Sequence, residues 1–202
     1  MPIELWFPTP FLIHDAEAVV RETTHAKVMA YLATERGRRD VTPAPAESVE
    51  TTYYAPDLSI LEDAQLTELR DMVLMAGHSF IQTLGLPPVA LEFERAWLNI
   101  FRPGAQEAQH SHDGSLLSCS YYVEAPEGCG DITFPDPASA RRSYRGFTGT
   151  NGTTMLTLNE VGFKPQAGRL IMFESWVQHS IQCNKSDKIR ISLAFNLRRA
   201  AG

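Results

Sequence analysis

Residues 93–101 read FERAWLNIF, and with them the character of the chain changes. Upstream, apolar residues recur at helical spacing. From here they come in short runs rich in β-branched and aromatic residues: LLSCSYYVE (116–124), DITFP (131–135), TMLTL (154–158), RLIMF (169–173) and RISLAFNL (190–197). Turn-forming clusters separate the runs, PGA at 103–105, PEGCG at 126–130, NEVG at 159–162 and PQAG at 165–168. Helices first and six or more evenly spaced strands afterwards predict an α+β, mostly β fold. Its form is a β-sandwich or jelly-roll with the N-terminal helices packed outside one sheet.

Working upstream, Leu66, Leu69, Val73, Ala76, Phe80 and Leu84 repeat at helical spacing, and Gly85 followed by Pro87-Pro88 stops that helix. An earlier helix is expected from Asp15, as N-cap, to about Thr34, ended by Gly37. Leu5 to Ile13, interrupted by Pro8 and Pro10, reads as an edge strand, because proline removes ladder donors. Residues 37–57 are polar, contain Pro43, Pro45 and Pro56, and read as a long loop with one short strand near Thr51–Tyr54. Residues 138–152, basic and glycine-rich, read as an insertion over one end of the sandwich; Arg141, Arg142 and Arg145 are expected to be solvated or to close over an acidic substrate. A single domain, 1–202, is expected, with residues 1–90 supporting a core of residues 91–202.

Bulk properties narrow the function. At 202 residues the chain is long enough for a real core, and 44% hydrophobic with 21% charged residues are globular values. A net charge of -6 speaks against a general nucleic-acid or anionic-membrane partner. No apolar run approaches the roughly 20 residues that span a bilayer. MPIELWFPTPFLIHD lacks a basic start and carries two prolines, unlike a signal peptide. Three cysteines, Cys119, Cys129 and Cys183, show no CxxC spacing, so a disulfide scaffold and a zinc knuckle are not expected, and a reducing cytoplasm is.

Two of the six histidines stand together in HSHDG, residues 110–114. On a strand, His110 and His112 project to one side while Ser111 and Asp113 face away. A third histidine, His179, ends the β-like run ESWVQHSIQ. Three such side chains suit a mononuclear metal site inside a sandwich, since a facial set of three ligands leaves positions open for substrates. Arg190 and Ser192 open the strand RISLAFNL on one face, and a strand-borne guanidinium beside a hydroxyl suits a carboxylate. Tyr122, in phase with Ser118 and Ser120, offers a phenolic donor to the same carboxylate. Cys119 is out of phase with them and is expected to face the core. Phe93, Trp97 and Phe101 share a phase and are read as core, while Asn99 and Arg102 flank the site in sequence. His14, His25 and His78 are read as ordinary surface histidines.

HSH, His179 and R-I-S in this order resemble the Fe(II)/2-oxoglutarate-dependent dioxygenase superfamily, and FRPG, SYYV, GDITFPDP and PQAGRLIMFESW stand in supporting places. The chain is closer still to a group of short oxygenases that open with a LFPTP-like segment, here LWFPTP, and carry W-x-N before H-x-H and S-x-x-Y-Y-V, here AWLNI, HSH and SCSYYV. The resemblance implies a double-stranded β-helix fold, Fe(II) held by His110 and His179, and 2-oxoglutarate as co-substrate, anchored by Arg190 with Ser192 and Tyr122. It further implies that molecular oxygen and a small-molecule or peptide substrate are consumed, with release of succinate and carbon dioxide. The superfamily has an acid where this chain has His112; the third ligand is His112, or Asp113 if a bulge turns it inward.

Two other functions are compatible with parts of the pattern. A cupin-type metal enzyme that does not use 2-oxoglutarate fits Gly104 followed by HSH, but its motif next wants a glutamate where Leu116 and Leu117 stand. A non-catalytic β-sandwich binding module would leave HSHDG as a surface loop. Metal content separates the last from the enzymes, and succinate release separates the two enzymes.

Overall fold

The computed structural model describes residues 8–55, 60–138 and 158–200. Their elements are β1 (Leu12–Asp15), α1 (Ala18–Ala33), α2 (Glu35–Asp40), β2 (Glu50–Thr51), α3 (Ile60–Asp63), α4 (Thr67–Thr83), β3 (Leu91–Phe101), β4 (Glu107–His110), β5 (Leu117–Glu124), β6 (Ile132–Pro135), β7 (Glu160–Phe163), β8 (Arg169–Glu174), β9 (His179–Ile181) and β10 (Arg190–Arg199). They form a six-stranded sheet in the order β1-β8-β5-β10-β3-β2 and a four-stranded sheet in the order β4-β9-β6-β7. All pairings are antiparallel. Two antiparallel sheets with helices on one side match the expected jelly-roll.

Alternation along the central strands makes two cores. Cys119, Tyr121 and Val123 of β5 and Ile191, Leu193 and Phe195 of β10 pack under the helices with Val28 of α1 and Val73 and Phe80 of α4. The opposite faces look toward the smaller sheet, where Tyr122 and Phe101 join Ile132, Phe134, Phe173 and Ile181. Cys119 is buried on the helix side, as its phase predicts. Gly77 lets α4 sit close on the sheet, since a Cβ there would lie 2.8 Å from Leu91 Cδ1.

The expected simple alternation first fails in β3. Its register against β10 runs Arg95↔Asn196 and then Phe93↔Leu197, so Glu94 is an extra residue. This bulge puts Phe93 against the helices, opposite to Trp97 and Phe101, whose phase it seemed to share.

The N-terminal half also differs in detail. Described strand begins at Leu12, past the prolines, and pairs with β8 at the sheet edge. Asp15 closes that strand instead of capping α1; its carboxylate accepts two hydrogen bonds from Arg169, at 2.7 and 2.9 Å. Glu17 takes the N-cap position. Gly37 does not end α1: Thr34 does, and its hydroxyl accepts from Gly37 N at 2.9 Å to begin α2. Glycine is required at 37 because a Cβ would lie 2.1 Å from the Tyr31 carbonyl oxygen. β2 covers only Glu50–Thr51, and Tyr53 and Tyr54 lie beyond it. NEVG, read as a turn, instead contributes β7, which pairs with β6 through Glu160↔Pro135 and Gly162↔Thr133. Most of TMLTL and of the 138–152 segment, with its three arginines, lies outside the described residues.

Gly37→Ala should lower stability by about 1–3 kcal/mol, as overpacking against a fixed carbonyl does. A urea midpoint unchanged from the wild type would contradict this packing.

Candidate metal centre

β4 ends at His110 and β9 begins at His179, and the antiparallel register sets these two residues opposite each other. Their ring centroids are 4.3 Å apart. His112 arrives differently. It lies just past the strand end, where a turn begins, with its ring 5.1 Å from His110 and 5.2 Å from His179. That turn is fastened at both backbone atoms: His112 N donates to Ser175 O at 2.9 Å, and Ser115 N donates to His112 O at 3.2 Å. The i and i+2 histidines thus lie together with His179, as the spacing predicts. One ligand nitrogen from each of the three rings lies within 4.8 Å of the others.

Asp113 is not in this group. It is exposed and accepts from the Ser111 hydroxyl at 3.2 Å.

Two of the rings are fixed by the backbone two residues upstream. Nδ1 of His110 lies 2.8 Å from Ala108 O, and Nδ1 of His179 lies 3.1 Å from Val177 O. A carbonyl only accepts, so each Nδ1 carries a proton, which leaves Nε2 as the nitrogen turned to a metal, the arrangement a metal-binding imidazole needs. Burial pushes His179 down to about 3, with His110 adding to the effect. Burial likewise pushes His112 down to about 4, helped by the charges of His110 and Arg95. Both rings are thus neutral at physiological pH.

The three rings open onto a cavity of about 320 Å³ between the sheets. At its floor lies Arg190, fully buried. Its guanidinium sits between two rings, with Cζ 4.7 Å from the Phe101 centroid and 5.0 Å from that of Tyr122. Nη1 donates to Gly130 O at 3.0 Å, while Nε and Nη2 have no partner among the described residues. The buried Tyr122 hydroxyl, near Ser120, likewise makes no well-formed hydrogen bond. Ser192 is buried opposite Tyr122 in the β10–β5 register and faces the cavity.

Several cavity residues were missed or left without a role by the sequence. Glu107 lines the cavity from β4; burial raises its carboxyl above the usual range, opposed by His110 and Arg190. A register shift between Glu107 and His110 lets both face inward, which no periodicity reveals. Trp97, read as core, walls the cavity beside His112 at 5.5 Å between centroids. Asn99 lines it as well; in the amide orientation that satisfies both ends, its oxygen accepts from Trp97 Nε1 at 3.2 Å and its nitrogen donates to Thr51 Oγ1 at 2.7 Å. Phase with Trp97 along β3 was the available signal for Asn99. Arg102 instead forms an exposed ion pair with Glu50, at 2.7 and 3.1 Å. Of the other histidines, His25 bonds Glu124 at 2.6 Å on the opposite side of the larger sheet.

The family described as "Putative 2OG-Fe(II) oxygenase" matches residues 95–196. Among solved structures, the chain is similar to the non-heme alpha ketoglutarate dependent epimerase SnoN from nogalamycin biosynthesis, with 15% identity, 95% of this chain and 79% of that one covered, and a TM-score of 0.66. It is similar to a Pseudomonas putida prolyl-4-hydroxylase, with 17% identity, 95% and 94% covered, and a TM-score of 0.58. It is also similar to HygX from Streptomyces hygroscopicus, a structure with nickel and 2-oxoglutarate bound, with 10% identity, 95% and 83% covered, and a TM-score of 0.62. At these identities the likeness is one of fold. No curated protein matches the sequence.

Because His112 and His179 stay neutral when folded but bind protons once unfolded, stability without metal should fall as pH drops below about 6.5 and continue falling toward about 4. Each contributes a slope of up to about 1.4 kcal/mol per pH unit. Urea titrations between pH 7 and 4.5 measure it, and His179→Phe should flatten the curve.

Proposed function

The chain belongs to this family of 2OG-Fe(II) oxygenases, and on that premise we propose that His110, His112 and His179 hold Fe(II) and that Arg190, Ser192 and Tyr122 hold the distal carboxylate of 2-oxoglutarate. The protein is then an Fe(II)- and 2-oxoglutarate-dependent dioxygenase acting on a small molecule or peptide. One observation carries this reading. A fully buried guanidinium, two of its nitrogens without a partner among the described residues, opens with the Ser192 hydroxyl onto the same cavity as three convergent imidazoles, and the buried Tyr122 ring lies against it. Native structures leave few buried polar groups unsatisfied, and a buried charge without a partner is strongly unfavourable. A carboxylate seated there satisfies Nε, Nη2 and the Tyr122 hydroxyl together.

Each residue has a task in that frame. His110 and His179, their Nδ1 atoms held by backbone carbonyls, present Nε2 to the metal without reorganising. Phe101 and Tyr122 keep the Arg190 guanidinium planar and aimed, and exclude water from around it. Bound iron and 2-oxoglutarate supply an oxidant from molecular oxygen, with succinate and carbon dioxide as co-products. Asp113 stays outside, hydrogen-bonded to Ser111. Three free cysteines accord with a cytoplasmic setting. Among the described residues no helix is long and apolar enough to cross a membrane.

Succinate formation from 2-oxoglutarate, Fe(II) and oxygen tests the activity directly. Arg190→Met should raise the KM for 2-oxoglutarate at least ~50-fold, the scale for losing a buried charge-assisted pair. An unchanged KM would sink the anchor assignment. Anaerobic calorimetry with Fe(II) should find His112→Ala and His179→Ala at least ~100-fold weaker, beyond the 10–100-fold typical of outer-shell changes. Asp113→Asn should bind within about twofold of wild type; the reverse pattern would make Asp113 the ligand.

A further inference from the structure

Arg190 is not the only guanidinium stacked on an aromatic ring beside this cavity. Arg95 stands on β3 with its Cζ 4.0 Å from the Tyr53 ring centroid. Tyr53 meets Trp97 edge to face at 5.2 Å, and Trp97 meets His112 in the same way at 5.5 Å. An unbroken line of rings therefore runs from the Arg95 guanidinium to the histidine cluster. Arg95 shares the cavity-facing phase of Trp97 and Asn99 on β3, and its register partner Asn196 lines the cavity. Tyr54, largely exposed, lines it too and meets Tyr53 edge to face at 5.3 Å, which marks this end as the mouth.

Stacking holds the guanidinium plane while leaving the in-plane N–H groups at its edge free. Among the described residues no carboxylate pairs with Arg95, and its positive charge reaches His112. The rim thus repeats the device of the floor, a guanidinium with no carboxylate partner among the described residues, backed here by Tyr53, which lines the same cavity. Such a group grips carboxylate or phosphate oxygens two at a time.

We propose that Arg95 is the anion-binding subsite for the substrate to be oxidised, which is a small molecule bearing a carboxylate or phosphate on a flat, apolar body that lies along Tyr53 and Trp97. The substrate then bridges rim and histidine cluster while Arg190 serves the co-substrate. This rests on the reading of the histidine cluster as the reaction centre.

The test uses phenylacetate, its uncharged match phenylacetamide, phenyl phosphate and benzylamine as probes, titrated calorimetrically into the whole chain with 2-oxoglutarate saturating. Wild type should bind phenylacetate or phenyl phosphate at least ~10-fold more tightly than phenylacetamide, and the tighter of the two anions names the headgroup. Arg95→Met should abolish the preference, Arg95→Lys should retain part of it, and Arg190→Met should leave it in place. Equal binding of acid and amide, stronger binding of benzylamine, or a preference that survives Arg95→Met but not Arg190→Met would overturn the proposal. Failure of 2-oxoglutarate itself to bind wild type would overturn the reading of the floor; the rim is judged by the acid-to-amide ratio alone.

Discussion

Each central strand of the larger sheet serves two compartments at once. One face of β5, β10 and β3 must bury apolar side chains under the helices, and the other must stay open enough to line a cavity. Leu193 and Phe195 meet the first demand; Arg190, Ser192 and Asn196, between and around them, meet the second. Strict alternation ties the two tasks together, because a one-residue slip would bury the polar set and expose the apolar one. The helices are therefore a condition of the site as well as its cover. They keep the outer face dry, which holds the register that delivers the polar residues inward.

The same architecture sets the electrostatics. Imidazoles deep between the sheets are kept uncharged by burial, and the Glu107 carboxyl is pushed the same way. Arg190 keeps its charge whatever its surroundings, so the floor of the cavity is permanently positive. Small anions are what such a cavity attracts.

How much of this was legible in the sequence depends on the kind of signal. HSH, His179 and the Arg190–Ser192 pair are chemically unusual residues on strongly β-patterned segments, and the structure brings them to one cavity. Long periodic elements such as α4 and β10 also stand where the pattern placed them. Features set by hydrogen-bond partnering did not show. Glu107 faces inward through a register shift. Phe93 changes sides through a bulge. Gly37 looked like a helix end because glycine commonly is one, whereas here it answers to the Tyr31 carbonyl. Tyr53 nears Trp97 only because β2 pairs with β3, a contact between distant segments that local pattern does not encode.

The bulge in β3 has a mechanical side. Its extra residue, Glu94, is exposed, and its carboxylate accepts a hydrogen bond at 2.5 Å from the Ser115 hydroxyl. Ser115 in turn holds the carbonyl of His112 through its backbone N–H. Where the ladder is interrupted, the freed side chain becomes a tie-rod between the strand that carries Arg95 and Trp97 and the turn that carries His112. The bulge thus ties the rim to the histidine cluster through two hydrogen bonds in series.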